Sequence, residues 1–292
     1  MRNTYITLDA LKSTGALNLT GTAYDTRLLF VLENVSREID RYTNRQFYPL
    51  VGTYFFDGEG TRELFVPDLI SVGTLQEDTN EDGTFETGWA GTGRGGTDWL
   101  VQPYNAEPTA DHIQKPYTKI VVNRNSAGTQ DEFLRGQRNY LISGTWGYSF
   151  VTRDGGKKLT ATTGSIGGSA TTTLVLNSTA TGTGLEVGQL IYITTELMYV
   201  RGVTTGTLVD VDRGVNGFVA TSHASGSAIN VVQFPGPIQE AVLIQASRLW
   251  KRAESAYSSM VGLDQTGQVA VFQGGLDGDV KALLQPYRKL LV

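Results

Sequence analysis

The sequence predicts an α+β fold: a helical domain made from both chain ends with a hairpin-rich side, plus an inserted small all-β sandwich or barrel domain. Three observations predict it. Apolar residues recur at helical spacing near both ends. Short aromatic and β-branched runs, bounded by turn residues, follow residue 50. From about Gly155 to Asn230 the chain becomes poor in charge and rich in Thr, Gly and Ser. On this reading residues 1–153 and 235–292 form the core domain, and residues 154–234 are the inserted β domain.

The elements follow in order. Thr7 is placed to cap a short helix through Asp9, Ala10, Leu11 and Lys12. A loop, Ser13–Ala23, leads to the stretch Asp25–Tyr48, with Asp25 at its start to suit the helix dipole. At about 100° per residue, this stretch sets Leu28, Leu32, Val35, Ile39 and Tyr42 on one face. Glu33, Arg37, Asp40 and Arg41 take the opposite face, with Glu33 and Arg37 in the favourable i,i+4 order. Phe30 is the misfit. It falls between Arg37 and Arg41, so it is either exposed or covered by something outside this helix's own core.

Thr53–Phe56 and Glu63–Val66, around Asp57-Gly58-Glu59-Gly60, predict a hairpin whose second strand closes at Pro67. Leu69–Leu75, Trp99–Val101, Lys119–Val122 and Tyr140–Ser143 predict further strands, and Gln76–Gly96 a loop. In the charge-poor region the expected strands are Thr173–Leu176, Leu190–Ile193, Leu197–Val200, Leu208–Val211 and Ala228–Val231. Asn216-Gly217 marks a turn among them. Pro237 suits the first residue of a helix whose apolar face is Ile238, Val242, Gln245, Ala246, Leu249 and Ala253, widened by Leu243 and Trp250. Asp279–Leu291 predicts a last helical piece interrupted by Pro286.

Composition narrows the function. The chain of 292 residues is 40% hydrophobic, enough for a real core. It has no cysteine, which excludes disulfides, thiolate metal sites and cysteine nucleophiles. No apolar leader or run of ~18 apolar residues is seen, so the expectation is a soluble protein made in a cytoplasm, with no membrane partner. A net charge of −5 argues against nucleic-acid binding as its main business.

Chemical motifs are weak. Asp78, Asn80 and Asp82, followed by Gly83, match the first half of a calcium loop, but its twelfth position is Trp89 rather than a carboxylate. Gly91-Thr-Gly93-Arg-Gly95-Gly96 satisfies G-x-G-x-x-G, yet a strand-like Trp99-Leu100 follows where a helix is needed to face a pyrophosphate. His112 and His223 lie in loop-like polar contexts without ligand spacing. No G-x-S-x-G elbow is present, and the carboxylates read as solvated surface charge. The expectation is no enzyme, no cofactor and no catalytic residue. Trp146 and Phe47 read as core closure at element junctions, and Tyr48 as either core or interface.

Taken in order, YITLDALKS, SREIDRYTNRQFYP, TYFFDGEGTRELFVPDLISV, DWLVQPYNA and YLISGTWGY make a series that resembles the head–tail connector (adaptor) proteins of long-tailed bacteriophages. In that family a Gly-Trp-Gly-like strand leads almost directly to a Pro-Ile…Ala helix. Thr145-Trp146-Gly147-Tyr148 and Pro237-Ile238-Gln-Glu-Ala241 are the matching pieces, so the β domain stands as an insertion at a family junction. ELMYVRGV and VDRGVNGF also look like β modules reused among phage structural proteins.

The resemblance implies a structural virion protein at the neck: a homo-oligomeric ring of about twelve subunits, closed by cyclic symmetry. Such a ring sits below the portal protein, passes DNA through its lumen without specific binding, and offers a surface to a tail-side stopper or tail terminator protein. It also implies a C-terminal portal-binding segment, here Pro286, Tyr287, Arg288, Lys289 and Leu290. In a ring, Phe30, Arg37 and Arg41 are expected at or near a subunit interface. An acidic lumen would repel phosphate and keep DNA mobile. The alternative is a β-rich carbohydrate-binding or adhesion module of a phage tail or cell surface, using the Thr/Gly-rich insert. An acid–base hydrolase is a third class, for which no residue can be nominated.

Overall fold

Two six-stranded antiparallel sheets, a two-stranded sheet and four α-helices are the main elements of the computed structural model, which describes residues 3–106, 115–125, 128–158, 173–176, 184–205, 207–254, 260–262, 269–271 and 275–289. The protein is therefore mostly β, and the expected helical domain made from both chain ends is corrected. The reason is strand length. Runs that read as short aromatic patches extend into strands of nine, fifteen, eleven and ten residues. The helices α1 (Leu8–Lys12), α2 (Asp25–Thr43), α3 (Gly236–Glu254) and α4 (Gly278–Leu284) are a minority beside them.

The chain divides into two compact units. One comprises Met1–Arg45, Thr152–Val215 and Val219–Val292; the other comprises Gln46–Val151 with Asn216–Phe218. This grouping places the terminal helices in the same unit as the Thr/Gly-rich strands, unlike the division at 153/154 and 234/235 drawn from composition.

The second unit is built on β1 (Leu50–Gly58), β2 (Glu63–Glu77), β3 (Thr87–Trp89), β4 (Trp99–Gln102), β5 (Tyr117–Val122) and β6 (Gly136–Trp146). Their order is β1-β6-β2-β5-β4, with β3 on β2. The hairpin expected from Thr53–Phe56 and Glu63–Val66 does not form. β6 lies between them, pairing Thr53 with Ser143 on one side and Glu77 with Tyr140 on the other. Nor does Pro67 end β2. It sits in the register shift between Phe65 and Leu69, where a missing N–H breaks no ladder bond.

The core of this unit is aromatic, with Trp99, Phe133, Tyr140, Tyr117, Trp89 and Trp146 all buried. Trp89 stacks on Phe133 at 4.6 Å, and Tyr140 meets Phe133 edge-on at 5.2 Å. The Glu77 carboxylate is inside this cluster and accepts from Trp89 Nε1 at 2.9 Å and Tyr140 Oη at 2.7 Å. Burial, and then the Glu77 charge, push the Tyr140 phenol far above its ordinary range. Phe47 is also buried, while Tyr48 is half-buried.

The first unit carries β7 (Val151–Lys158), β8 (Thr173–Val175), β9 (Leu190–Ile193), β10 (Glu196–Thr205), β11 (Leu208–Asp212) and β12 (Ala228–Gln233). Their order is β7-β12-β9-β10-β11-β8 around Ile191, Ile193, Met198, Val200 and Val211. A separate two-stranded sheet, β13 (Met260–Gly262) with β14 (Val269–Val271), follows α3. α2 packs on α3, and α3 on α4. Thr7 caps α1 through Ala10 N, as its position predicts. α2 ends earlier than its pattern, at Thr43, because Asn44 turns left-handed at φ 53°. The extended N-terminal residues join helices to strands, since Thr4 Oγ1 donates to Gly188 O at 3.0 Å and Leu8 N to Val187 O at 2.9 Å.

One charged cluster holds the long connection between β11 and β12. Glu196, fully buried at the start of β10, accepts from Arg213 Nε and Nη2 at 2.6 Å each. It also accepts from Gly214 N and Thr221 N, and His223 Nε2 lies 2.9 Å from it. Burial pushes the Glu196 carboxyl up, but the Arg213, Thr221 and His223 bonds outweigh it and hold it below its ordinary value of 4.5. A folded value below the unfolded one means that this stability is complete above about pH 4.5 and lost as the pH falls through the folded value. Glu196→Ala should cost about 3–5 kcal/mol in urea denaturation at neutral pH, the penalty for leaving Arg213 buried without its anion. The variant should also lose less of its remaining stability below pH 4.5 than the parent does.

Candidate functional site

The face that stands apart from the core lies on the pair α2 and α3. Phe30 is 55% exposed, although its neighbours Leu29 and Val31 are buried. Phe30, Val31, Asn34, Leu249, Trp250 and Ala253 line a shallow groove of about 120 Å³. Arg27 stands over the Phe30 ring with its guanidinium carbon 5.6 Å from the centroid. Tyr24, also 55% exposed, meets Trp250 edge-on at 5.4 Å. The result is an aromatic patch with one cation above it, a composition enriched where proteins meet. The i,i+3 spacing of Tyr24, Arg27 and Phe30 was the available signal for it. Sequence alone does not reveal the patch, because Trp250 reads as part of the α3 core face.

The three residues expected at an interface do not share one fate. Phe30 and Arg41 are exposed. Arg37 is committed within its own unit. Its Nε lies 2.9 Å from Asp40 Oδ2, its Nη2 donates to Asn3 O at 3.0 Å, and its guanidinium sits over the Tyr5 ring. Tyr5 Oη in turn donates to Asp40 Oδ1 at 2.5 Å. The polar stripe of α2 is thus covered at its middle by the N-terminal segment, which sequence periodicity cannot show.

The C-terminal segment is also held in place. Gln285–Tyr287 forms a 3-10 turn. Arg45 Nε donates to Tyr287 O at 2.6 Å, and Lys289 N to Thr43 O at 2.8 Å. Arg288 lies over the Tyr42 ring at 5.6 Å. Pro286, Tyr287, Arg288 and Lys289 therefore run against the C-terminal end of α2. Leu290 is outside the described residues.

The acidic loop closes the β2–β3 hairpin. The carboxylates of Asp78, Asp82 and Glu86 lie within 4.8 Å of one another. Glu86, eight residues on from Asp78, joins this cluster, whereas Trp89, at the loop's twelfth position, is buried in the core. The loop's own backbone engages these groups. Asp78 accepts from Gly83 N at 2.8 Å, Asn80 Oδ1 from Asp82 N at 3.1 Å, and Asp82 from Thr84 N at 2.7 Å. The Thr84 bonds hold the Asp82 carboxyl below its usual value. These bonds account for the turn without an ion.

The glycine-rich run is a packing device. Gly93 pairs with Val72, and Gly95 with Leu100. At Gly91, whose φ is 159°, a Cβ would lie 2.8 Å from the Trp99 indole. Backbone passes over a buried tryptophan there, and no helix begins. His223, which the sequence places in a loop-like polar context, is buried against Glu196. His112 is outside the described residues. Glu77, Asp98 and Glu196 are buried and hydrogen-bonded, which corrects the reading of the carboxylates as surface charge. Among the described residues, no helix is long and apolar enough to cross a membrane. Comparisons with family models, curated proteins and solved structures give no match to this chain.

Asp40 links the α2 stripe to pH. Burial pushes its carboxyl from 3.8 up to about 6, against the opposing pull of Arg37 and the Tyr5 hydroxyl. Between these values the folded state keeps a proton that the unfolded chain has released, so stability falls as the pH rises through that window. Asp40→Asn should remove this fall. Denaturant midpoints of parent and variant, compared at pH 4, 5, 6 and 7, check it, and parallel profiles would show that Asp40 does not titrate there.

Proposed function

We propose that the chain is a structural virion protein, a head–tail adaptor that forms a ring below the portal and joins capsid to tail. The ordered motif series that resembles the connector family motivates the reading. The observation that carries it in three dimensions is the exposed Phe30 groove. α2 buries Leu28, Leu32, Val35 and Ile39 completely, so Phe30 and Tyr24 are not needed to close that core. A large aromatic kept in water beside a cation is of use to a second surface. Head-to-tail contacts of this kind generate closed rings when the rotation between subunits closes.

In this reading the neighbouring subunit covers the groove. The C-terminal segment around Tyr287 and Arg288 faces the portal, and DNA traverses the lumen without being gripped. Electron microscopy of the protein mixed with its portal should show a ring on the portal's tail side. A strict monomer that leaves the portal bare would overturn the proposal. Phe30→Ser should weaken ring formation while circular dichroism and thermal midpoint stay close to the parent's. If that variant unfolds instead, Phe30 is core and the boundary assignment fails.

A further inference from the structure

β1 ends the first sheet, so one of its two long edges carries no strand among the described residues. Natural sheets protect such edges with charge, proline or a bulge. From Leu50 to Phe56 the strand reads LVGTYFF, with no charged residue and no proline. Its one register irregularity falls at its far end, between Phe56 and Gly58. Val51, Tyr54 and Phe55 are between 37% and 47% exposed. At the start of the strand Gly217 comes so close to the Val51 carbonyl that a Cβ would lie 2.2 Å from it, Trp146 Nε1 donates to Gly52 O at 2.9 Å, and Phe85 and the Arg138 guanidinium lie against the Phe55 ring. Gly52–Phe56 is an uncharged stretch whose outer edge pairs with no strand among the described residues, the kind that pairs with added chain.

The same protein holds a strand pair with the opposite need. Among the described residues β13 and β14 pair only with each other, Met260 opposite Val271 and Gly262 opposite Val269. An isolated two-stranded hairpin is marginal in water, and a third strand is what stabilises it. The six paired residues are uncharged, so they meet the neutral β1 edge without repulsion, although the whole chain carries −5. Three-residue strands also fit within the five residues that β1 leaves open.

We propose that the β13–β14 hairpin of one copy adds to the open edge of β1 in the next copy, giving a continuous sheet across each subunit boundary. This rests on the ring reading and specifies which backbone edges meet. Because every copy carries both a donor hairpin and an acceptor edge, the contact is head-to-tail and repeats around a closed ring.

The absence of cysteine makes the test direct. Thr53→Cys protein is mixed with Val261→Cys or Ala270→Cys protein, assembled on portal particles and oxidised mildly. A disulfide-linked dimer on a non-reducing gel is expected, with a ladder of higher multimers from the double variant Thr53→Cys/Ala270→Cys. A variant with residues 260–271 replaced by a Gly-Ser linker should keep its circular dichroism and lose the ring. Rings seen by microscopy without any cross-link, or with that linker variant still assembling, would overturn the hairpin assignment and leave the ring reading standing. Cross-linking only within one chain of the double variant would likewise overturn it. Absence of rings in the parent would overturn both.

Discussion

A carboxylate taken out of water must be given donors, and Glu77 and Glu196 each collect theirs from residues distant in the chain. Glu77 draws on Trp89 and Tyr140, sixty-three residues further on. Those bonds require β3 on one edge of β2 and β6 on the other, which is the arrangement that defines the first sheet. Glu196 draws on Arg213, Gly214, Thr221 and His223, and so folds the β11–β12 connection back over the start of β10. A misplaced register would strand a buried charge, at a cost comparable to the net stability of a domain. In each unit the sheet and its buried acid specify one another.

With the interiors closed in this way, the unusual features are on the outside. The Phe30 groove and the β1 edge are different physical objects. One offers apolar area with a guanidinium above it; the other offers unpaired backbone groups. Side-chain patches give affinity through desolvation, while an added strand fixes register and orientation. The proposed ring would use both, because closure demands a defined angle between neighbours as well as adhesion. The N-terminal segment that engages Arg37 and the C-terminal turn pinned by Arg45 keep the two chain ends on α2. They limit how much of that helix is left for a neighbour.

Local chemistry was legible in the sequence. Thr7 as a cap, the α2 stripe of Leu28, Leu32, Val35 and Ile39, Pro237 near the start of α3, and the strands at Leu190, Leu197, Leu208 and Ala228 all follow from spacing and turn residues. So does the exposure of Phe30, since a helical period alone puts it opposite the core. These signals are short-range and depend on residues within about two helical turns of each other. The sequence by itself therefore determined where most helices and strands lie and which side of α2 faces inward.

Only the tertiary structure decided which strands meet. β6 separates β1 from β2 because long-range pairing, not proximity in sequence, buries Trp146, Tyr140 and Ile142 together. It also decided that Glu196 and His223 are interior, since an acidic residue and its partners carry no local mark of burial. The sequence places Arg37 on the polar face of α2, where an interface role is expected, yet Asn3 and Tyr5, over thirty residues away, claim it. The balance between helix and sheet is a tertiary property for the same reason. Strand length is set by the neighbouring strand's hydrogen bonds, which no window of sequence contains.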